Sequence, residues 1–243
     1  KNNVRIPLNI YSKAIRFFVR KILRINPYSE EYYFKMISHG FYMSSQVFKY
    51  LNVPKTNKRN IFVLGSWQSN KYFLSINDKI KNELRVKTEP NDRNKEYIRD
   101  IQNCESVCVH IRLGHYTSPQ WSHLHVCTPN YYLKGMEYIA SKITNPVYYV
   151  FTNPSADIKW IKENYNFQYS VIYVDLDNPD YEDIRLMYNC KHFVISNSTF
   201  SWWAQFLSEN NDKIVVAPNK WQKEDEKNAL DIYLDNWKLI ETE

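Results

Sequence analysis

The 243-residue chain is 44% hydrophobic and 16% aromatic, ample core material for one large or two small globular domains. Its 32 Lys and Arg against 26 Asp and Glu give a net charge of +6, which suits an anionic ligand or a membrane surface but is too diffuse to mark a nucleic-acid binder. No apolar run reaches the roughly eighteen residues of a membrane span, and the amino end carries no signal-peptide pattern.

Residues 13–25 form a basic amphipathic pattern, with Ile15, Phe18, Val19 and Ile22 at helical spacing and Lys13, Arg16, Arg20, Lys21 and Arg24 opposite. Such a helix either docks on the protein with a basic outer face or lies on a membrane surface. Residues 29–51 read as mixed helix and loop, Asn60–Trp67 as a short strand closed by a glycine turn, and Ser75–Leu84 as a helix. The charged, proline-interrupted stretch Lys87–Lys95 reads as a linker, which places a domain boundary near 95. Beyond it strands at 106–112, 147–152, 170–174, 193–196 and 213–217 alternate with helices at 129–143, 156–165, 181–190 and 200–209. That alternation predicts a Rossmann-like parallel sheet with helices on both faces and its ligand at the carboxyl ends of the strands.

The stretch FVISNSTFSWWAQFL, Phe193–Leu207, runs strand, polar turn, helix. Ser198 and Thr199 are favoured N-cap residues, and the unpaired N–H groups of a helix start attract phosphate. The alternative is a plain cap beneath core aromatics. With only four glycines the chain has no G-x-G-x-x-G or Walker loop, so a nucleotide would be held by side chains and helix ends. Four cysteines, Cys104, Cys108, Cys127 and Cys190, without a CxxC pair, point to buried thiols in a reducing cytosol.

Ser196–Trp203, SNSTFSWW, resembles the C-terminal signature of the bacterial and animal α-1,2-fucosyltransferase family, glycosyltransferase family 11. His110-Ile111-Arg112-Leu113-Gly114-His115-Tyr116, closing an earlier strand, resembles that family's His-x-Arg motif, and Gly65–Phe73 its middle region. The resemblance continues through Trp237, implying a complete carboxyl end, whereas the family's glycine-rich amino segment has no counterpart. It implies a GT-B-like α/β enzyme: residues 1–95 as a partial, mainly helical acceptor-side domain and 96–243 as the nucleotide-sugar-binding domain. The implied reaction moves fucose from GDP-fucose to the 2-hydroxyl of a galactoside, with inversion and without metal, in glycan or surface polysaccharide synthesis. A cytoplasmic location follows, with peripheral membrane contact through 13–25.

The resemblance makes Arg112 the catalytic cation for the departing diphosphate, and lays His110, Asp183, Asn197, Ser198, Thr199 and Phe200 around the nucleotide. Read alone, Arg112 would be a surface ion pair, His110 and Phe200 core residues, and Asp183 a charge at a helix start. Leu113 and His115 stand where the family commonly has a second arginine and an aspartate. Three other readings remain: another nucleotide-sugar donor, a GDP-binding module without turnover, and a zinc site of His115, His123, His125 and Cys127.

Overall fold

The computed structural model describes residues 13–14, 17–18, 20–21, 24, 29–44, 48–152, 157–223 and 231–242, His115 in its backbone only. The chain divides into two compact units, Lys1–Leu74 with Asn228–Tyr233, and Ser75–Lys227 with Leu234–Glu243.

In the first unit α1 (Glu30–Ile37) is capped by Ser29, whose hydroxyl accepts from the Tyr32 amide at 3.2 Å. It packs beside a two-stranded parallel ribbon of β1 (Phe41–Met43) and β2 (Phe62–Leu64). Tyr33, Ile37, Tyr42 and Leu51 form one small core and Tyr32 and Met43 another. Asp231 joins this unit by accepting from the Tyr50 amide at 2.7 Å and pairing with Lys71. β2 falls within the strand expected at Asn60–Trp67, whereas β1 is absent from the sequence reading because three residues are too few to show a period of two. Ile15, Val19 and Ile22, the face expected of the basic amphipathic stretch, lie outside the described residues; Phe17 and Phe18 are exposed.

The second unit runs α2 (Asn77–Leu84), α3 (Asp92–Gln102), β3 (Glu105–Ile111), α4 (Pro129–Ala140), β4 (Pro146–Thr152), α5 (Asp157–Asn164) and β5 (Val171–Tyr173). It continues through α6 (Asp180–Asn189), β6 (His192–Val194), α7 (Thr199–Leu207), β7 (Val215–Pro218) and β8 (Lys238–Ile240). The six strands are all parallel, in the order β5-β4-β3-β6-β7-β8. Alternation along β3 sends Val107, Val109 and Ile111, and Leu113 beyond them, into the main core with Tyr131, Met136 and Ile139 of α4 and Ile161 of α5. His110 faces the other way and meets Phe200 of α7, so helices cover both sides of the sheet. Gly135 lets α4 approach closely: a Cβ there would lie 2.8 Å from a Val194 methyl.

The stretch expected to be a linker is not one. Asn91 caps α3 by accepting from the Asn94 amide at 2.8 Å, and Asn94 is fully buried, exchanging amide bonds with Asn178 and donating to Glu182. Arg185 pairs with Glu182 at 3.2 Å and donates to the Thr88 carbonyl and hydroxyl. These polar residues read as solvated in sequence, but they satisfy one another between α3 and α6, and a buried polar group is tolerated when it is bonded. The division between units accordingly falls after Leu74, not near 95. Helix α3 and strand β8 are, with β1, the elements the sequence reading lacks.

Candidate functional site

The order of the sheet fixes where a site can form. From β3 the chain moves outward through β4 and β5, then crosses back to β6 and moves outward the other way. The loops leaving β3 and β6 therefore part in opposite directions, opening a crevice at their carboxyl ends, where ligands of such sheets bind. His110 and Arg112 lie at the end of β3, and Ser196–Phe200 lead from β6 into α7.

His110 is 1% exposed; its Nδ1 is 2.9 Å from the Ser196 hydroxyl, and the Phe200 ring centre is 5.7 Å from its own. Burial, with the charge of Arg112 added, drives its pKa down to about 3, so the imidazole is neutral at physiological pH. Its Nε2 is buried without a hydrogen-bond partner among the described residues. Arg112, two residues on and thus on the same face of the strand, holds its guanidinium 5.8 Å from the centre of the Tyr116 ring. The Tyr116 hydroxyl in turn donates to the Asn197 carbonyl at 3.5 Å.

The turn after β6 is held by its own side chains. Ser198 caps α7, accepting from the Phe200 amide at 3.3 Å, and the Ser201 hydroxyl donates to the Ser198 and Ser196 carbonyls. The Asn197 amide donates to the carbonyls of Leu124 and Trp221, both at 2.7 Å, and accepts from the Cys127 thiol. Asn197 therefore positions the turn, its side-chain donors already committed. Thr199 stands exposed at the first turn of α7 and Phe200 is half-buried. The positive end of the helix, Arg112 and the unpaired His110 nitrogen together form a donor-rich place suited to an anion.

Asp183 lies on the first turn of α6, which by the parallel topology starts at the same edge of the sheet. Burial raises its carboxyl to about 6, opposed by a hydrogen bond to Asn178 and reinforced by Asp180 and Glu182. Thus six of the seven expected residues gather around β3 and β6, with Asp183 at the α6 start. Leu113 is buried in the main core, since odd positions along β3 face inward; an arginine there would point away from Arg112's side. Two residues enter that sequence reading passed over, Ser196 and Tyr116. The signal for Ser196 was a hydroxyl ending an otherwise apolar strand.

Of the zinc reading, Cys127 is fully committed: burial pushes its thiol up to about 12, and it donates to Asn197. His115's side chain lies outside the described residues, and no three His, Cys, Asp or Glu side chains among those described are placed to hold a metal ion. Nor is any helix among the described residues long and apolar enough to cross a membrane. The first unit holds a separate cavity of about 630 Å³ walled by Tyr42, Trp67, Tyr72, Val53, Ile61 and Val63.

Comparison with known proteins follows the same lines. An Escherichia coli α-1,2-colitosyltransferase is 33% identical over 190 residues, 76% of this chain and 64% of that protein. The O-antigen biosynthesis glycosyltransferase WbnK of Escherichia coli is 36% identical over 140 residues, 56% of this chain and 45% of that protein. Galactoside α-(1,2)-fucosyltransferase 2 of Pongo pygmaeus is 23% identical over 180 residues, 70% and 50% of the two chains. The chain thus spans between 45% and 64% of the length of these relatives. The family profile described as glycosyl transferase family 11 matches residues 3–241, and the chain belongs to that family.

Proposed function

We propose that this chain carries the donor site of an inverting glycosyltransferase that moves fucose from GDP-fucose to the 2-hydroxyl of a galactoside, in glycan or surface polysaccharide synthesis. The observation that carries the reading is the meeting of Arg112, His110 and the α7 amino end at the point where the strand order reverses. Loss of GDP leaves two phosphates of growing negative charge, while the sugar becomes oxocarbenium-like. A fixed guanidinium and oriented backbone N–H groups stabilise that charge without a proton transfer or a metal. Asp183, once ionised, accepts from the N1–H and amino group of guanine. In this reading the second unit is the nucleotide-sugar-binding domain of a GT-B-like enzyme and the first belongs to its acceptor side. The enzyme works in the cytoplasm, where four free thiols stay reduced, with peripheral membrane contact through 13–25.

A second donor sugar is favoured by one comparison, the relative named as a colitosyltransferase. Incubating the chain with GDP-fucose or other GDP-sugars and lactose-type acceptors, with and without EDTA, separates the two. A 2-linked fucoside formed in EDTA supports the first reading; product only from another donor supports the second. GDP binding without any turnover reduces the chain to a binding module, and no GDP binding overturns the site. Within it, Arg112→Ala is expected to weaken GDP by roughly ten- to hundredfold, with Arg112→Lys intermediate because the fork geometry is lost.

A further inference from the structure

We propose that Ser196 is a positioning residue: its hydroxyl donates to Nδ1 of His110, fixing the tautomer that carries its proton on Nε2 and so presents a neutral N–H donor to the bound ligand. The pair lies inside the fold, closed off from solvent. His110 and Ser196 are 1% and 0% exposed, and their 2.9 Å contact is the one hydrogen bond described for either side chain. If the serine donates, its hydrogen and the Nδ1 lone pair are both used, leaving Nε2–H and the serine oxygen's lone pairs without partners; if Nδ1–H donates instead, the serine hydrogen and the Nε2 lone pair are left. Each arrangement strands one donor, so the choice falls to what Nε2 faces.

What lies around Nε2 makes that choice. The neighbouring cation, Arg112, and the positive end of α7 attract a ligand rich in acceptor oxygens, and toward such a ligand an N–H is useful and a lone pair repulsive. Because burial keeps the ring neutral, the donor persists across the physiological pH range. Phe200, half-buried at the second position of α7, lies with its ring centre 5.7 Å from the imidazole's. The choice of tautomer rests on the reading of the site as a nucleotide-diphosphate site, whereas the Ser196–His110 hydrogen bond does not.

The test is a long-range proton–nitrogen correlation spectrum of the full 15N-labelled chain, with the His110 signals assigned by their loss in His110→Gln. At pH 7 the expected pattern is a protonated Nε2 and an unprotonated Nδ1; the reverse pattern overturns the proposal. In Ser196→Ala, which keeps the Cβ, the pattern is expected to become a mixture of tautomers, and an unchanged pattern removes Ser196 from the role. With GDP as the probe, the Nε2–H signal is expected to shift. His110→Gln, whose amide reaches the Nε2 position, is expected to bind GDP about tenfold more tightly than His110→Asn, whose amide mimics Nδ1. Equal affinities of the two variants overturn the donor role. Wild-type chain that binds no GDP overturns the reading of the site, while the spectrum of the free chain still decides the tautomer.

Discussion

The two units spend their polar side chains on opposite ends. In the first, tyrosine hydroxyls are tied to backbone: Tyr33 to the Asn52 carbonyl at 3.1 Å, Tyr42 to that of Pro54 at 2.8 Å, and Tyr72 to the Leu51 amide at 2.8 Å. The rings of Tyr42 and Tyr72 are left to wall a cavity, with Val63 of the ribbon 58% exposed beside them. In the second, Asn197, Ser198, Ser201 and Tyr116 are tied to backbone beside a cation, a helix end and an imidazole nitrogen that has no hydrogen-bond partner among the described residues. One unit thus offers apolar faces and the other directed donors. Faces tolerate many partners of similar shape, whereas donors discriminate, because a mismatch strands a buried polar group.

The sharpest way to break this contrast is to remove one tie from each side. Asn197→Ala strands the Leu124 and Trp221 carbonyls, and is expected to cost roughly 2–4 kcal/mol and to abolish GDP binding. Tyr42→Phe removes a single hydroxyl whose carbonyl partner is half-exposed, with an expected loss of about 1 kcal/mol or less. Urea denaturation of both variants checks this, and equal losses would mean that the turn after β6 is no more constrained than the wall of the cavity. A smaller effect is expected at Gly135→Ala. The added methyl meets Val194 at 2.8 Å and Val216 at 3.3 Å, an overlap of about 1–3 kcal/mol, against about 1 kcal/mol gained in helix propensity. The net is a loss near 1 kcal/mol, read from the same denaturation curves, and a gain would show that α4 has room to lift from the sheet.

What could be read in advance divides along the same line. The second unit was legible because β3 and β4 are seven residues each, long enough for alternation to separate the Val107–Ile111 face from the His110 face, and because the turn at Ser198 carries its own capping chemistry. The segment around Asn94 was not, because Asn, Asp, Arg and Glu mark solvent unless their partners are known, and those partners, Asn178, Glu182 and Arg185, lie far along the chain. Strand β1 of the ribbon, and β8 likewise, owe their existence to pairing rather than to any pattern of their own. At the site the candidate residues were named through their motif, whereas the role of Ser196 emerged from the 2.9 Å distance to His110.

The smallest expected effect is also the most direct comparison, since each unit contains one aspartate displaced in the opposite sense. Burial carries Asp183 from 3.8 up to about 6, so between those values the folded chain holds a proton that the unfolded chain has released. Its contribution favours folding at low pH, is lost as pH rises through about 6, and is unfavourable but flat above. At Asp231 burial pushes upward too, but the bonds from Lys71 and the Tyr50 amide outweigh it and leave the carboxyl below 3.8. Its contribution is present above that value and is lost as pH falls through the folded-state pKa. Lys71 is half-exposed, so the Asp231 term is expected to stay under about 1 kcal/mol and to shrink in salt. Hydrogen exchange followed by peptide between pH 4 and 8 reads each unit separately. Asp183→Asn is expected to raise protection in α6 at pH 7 and leave it unchanged at pH 4, and Asp231→Asn to lower protection around Tyr50 at pH 7. Changes of the same sign at pH 7 would erase the contrast. GDP adds a further discriminant: if ionised Asp183 receives guanine, affinity in the wild type rises from pH 5 to 7 as the carboxyl loses its proton, and the rise is absent in Asp183→Asn. An identical pH profile in both would return Asp183 to the role of a helix-start charge and leave the anion-binding end of α7 and Arg112 to hold the nucleotide through its phosphates alone.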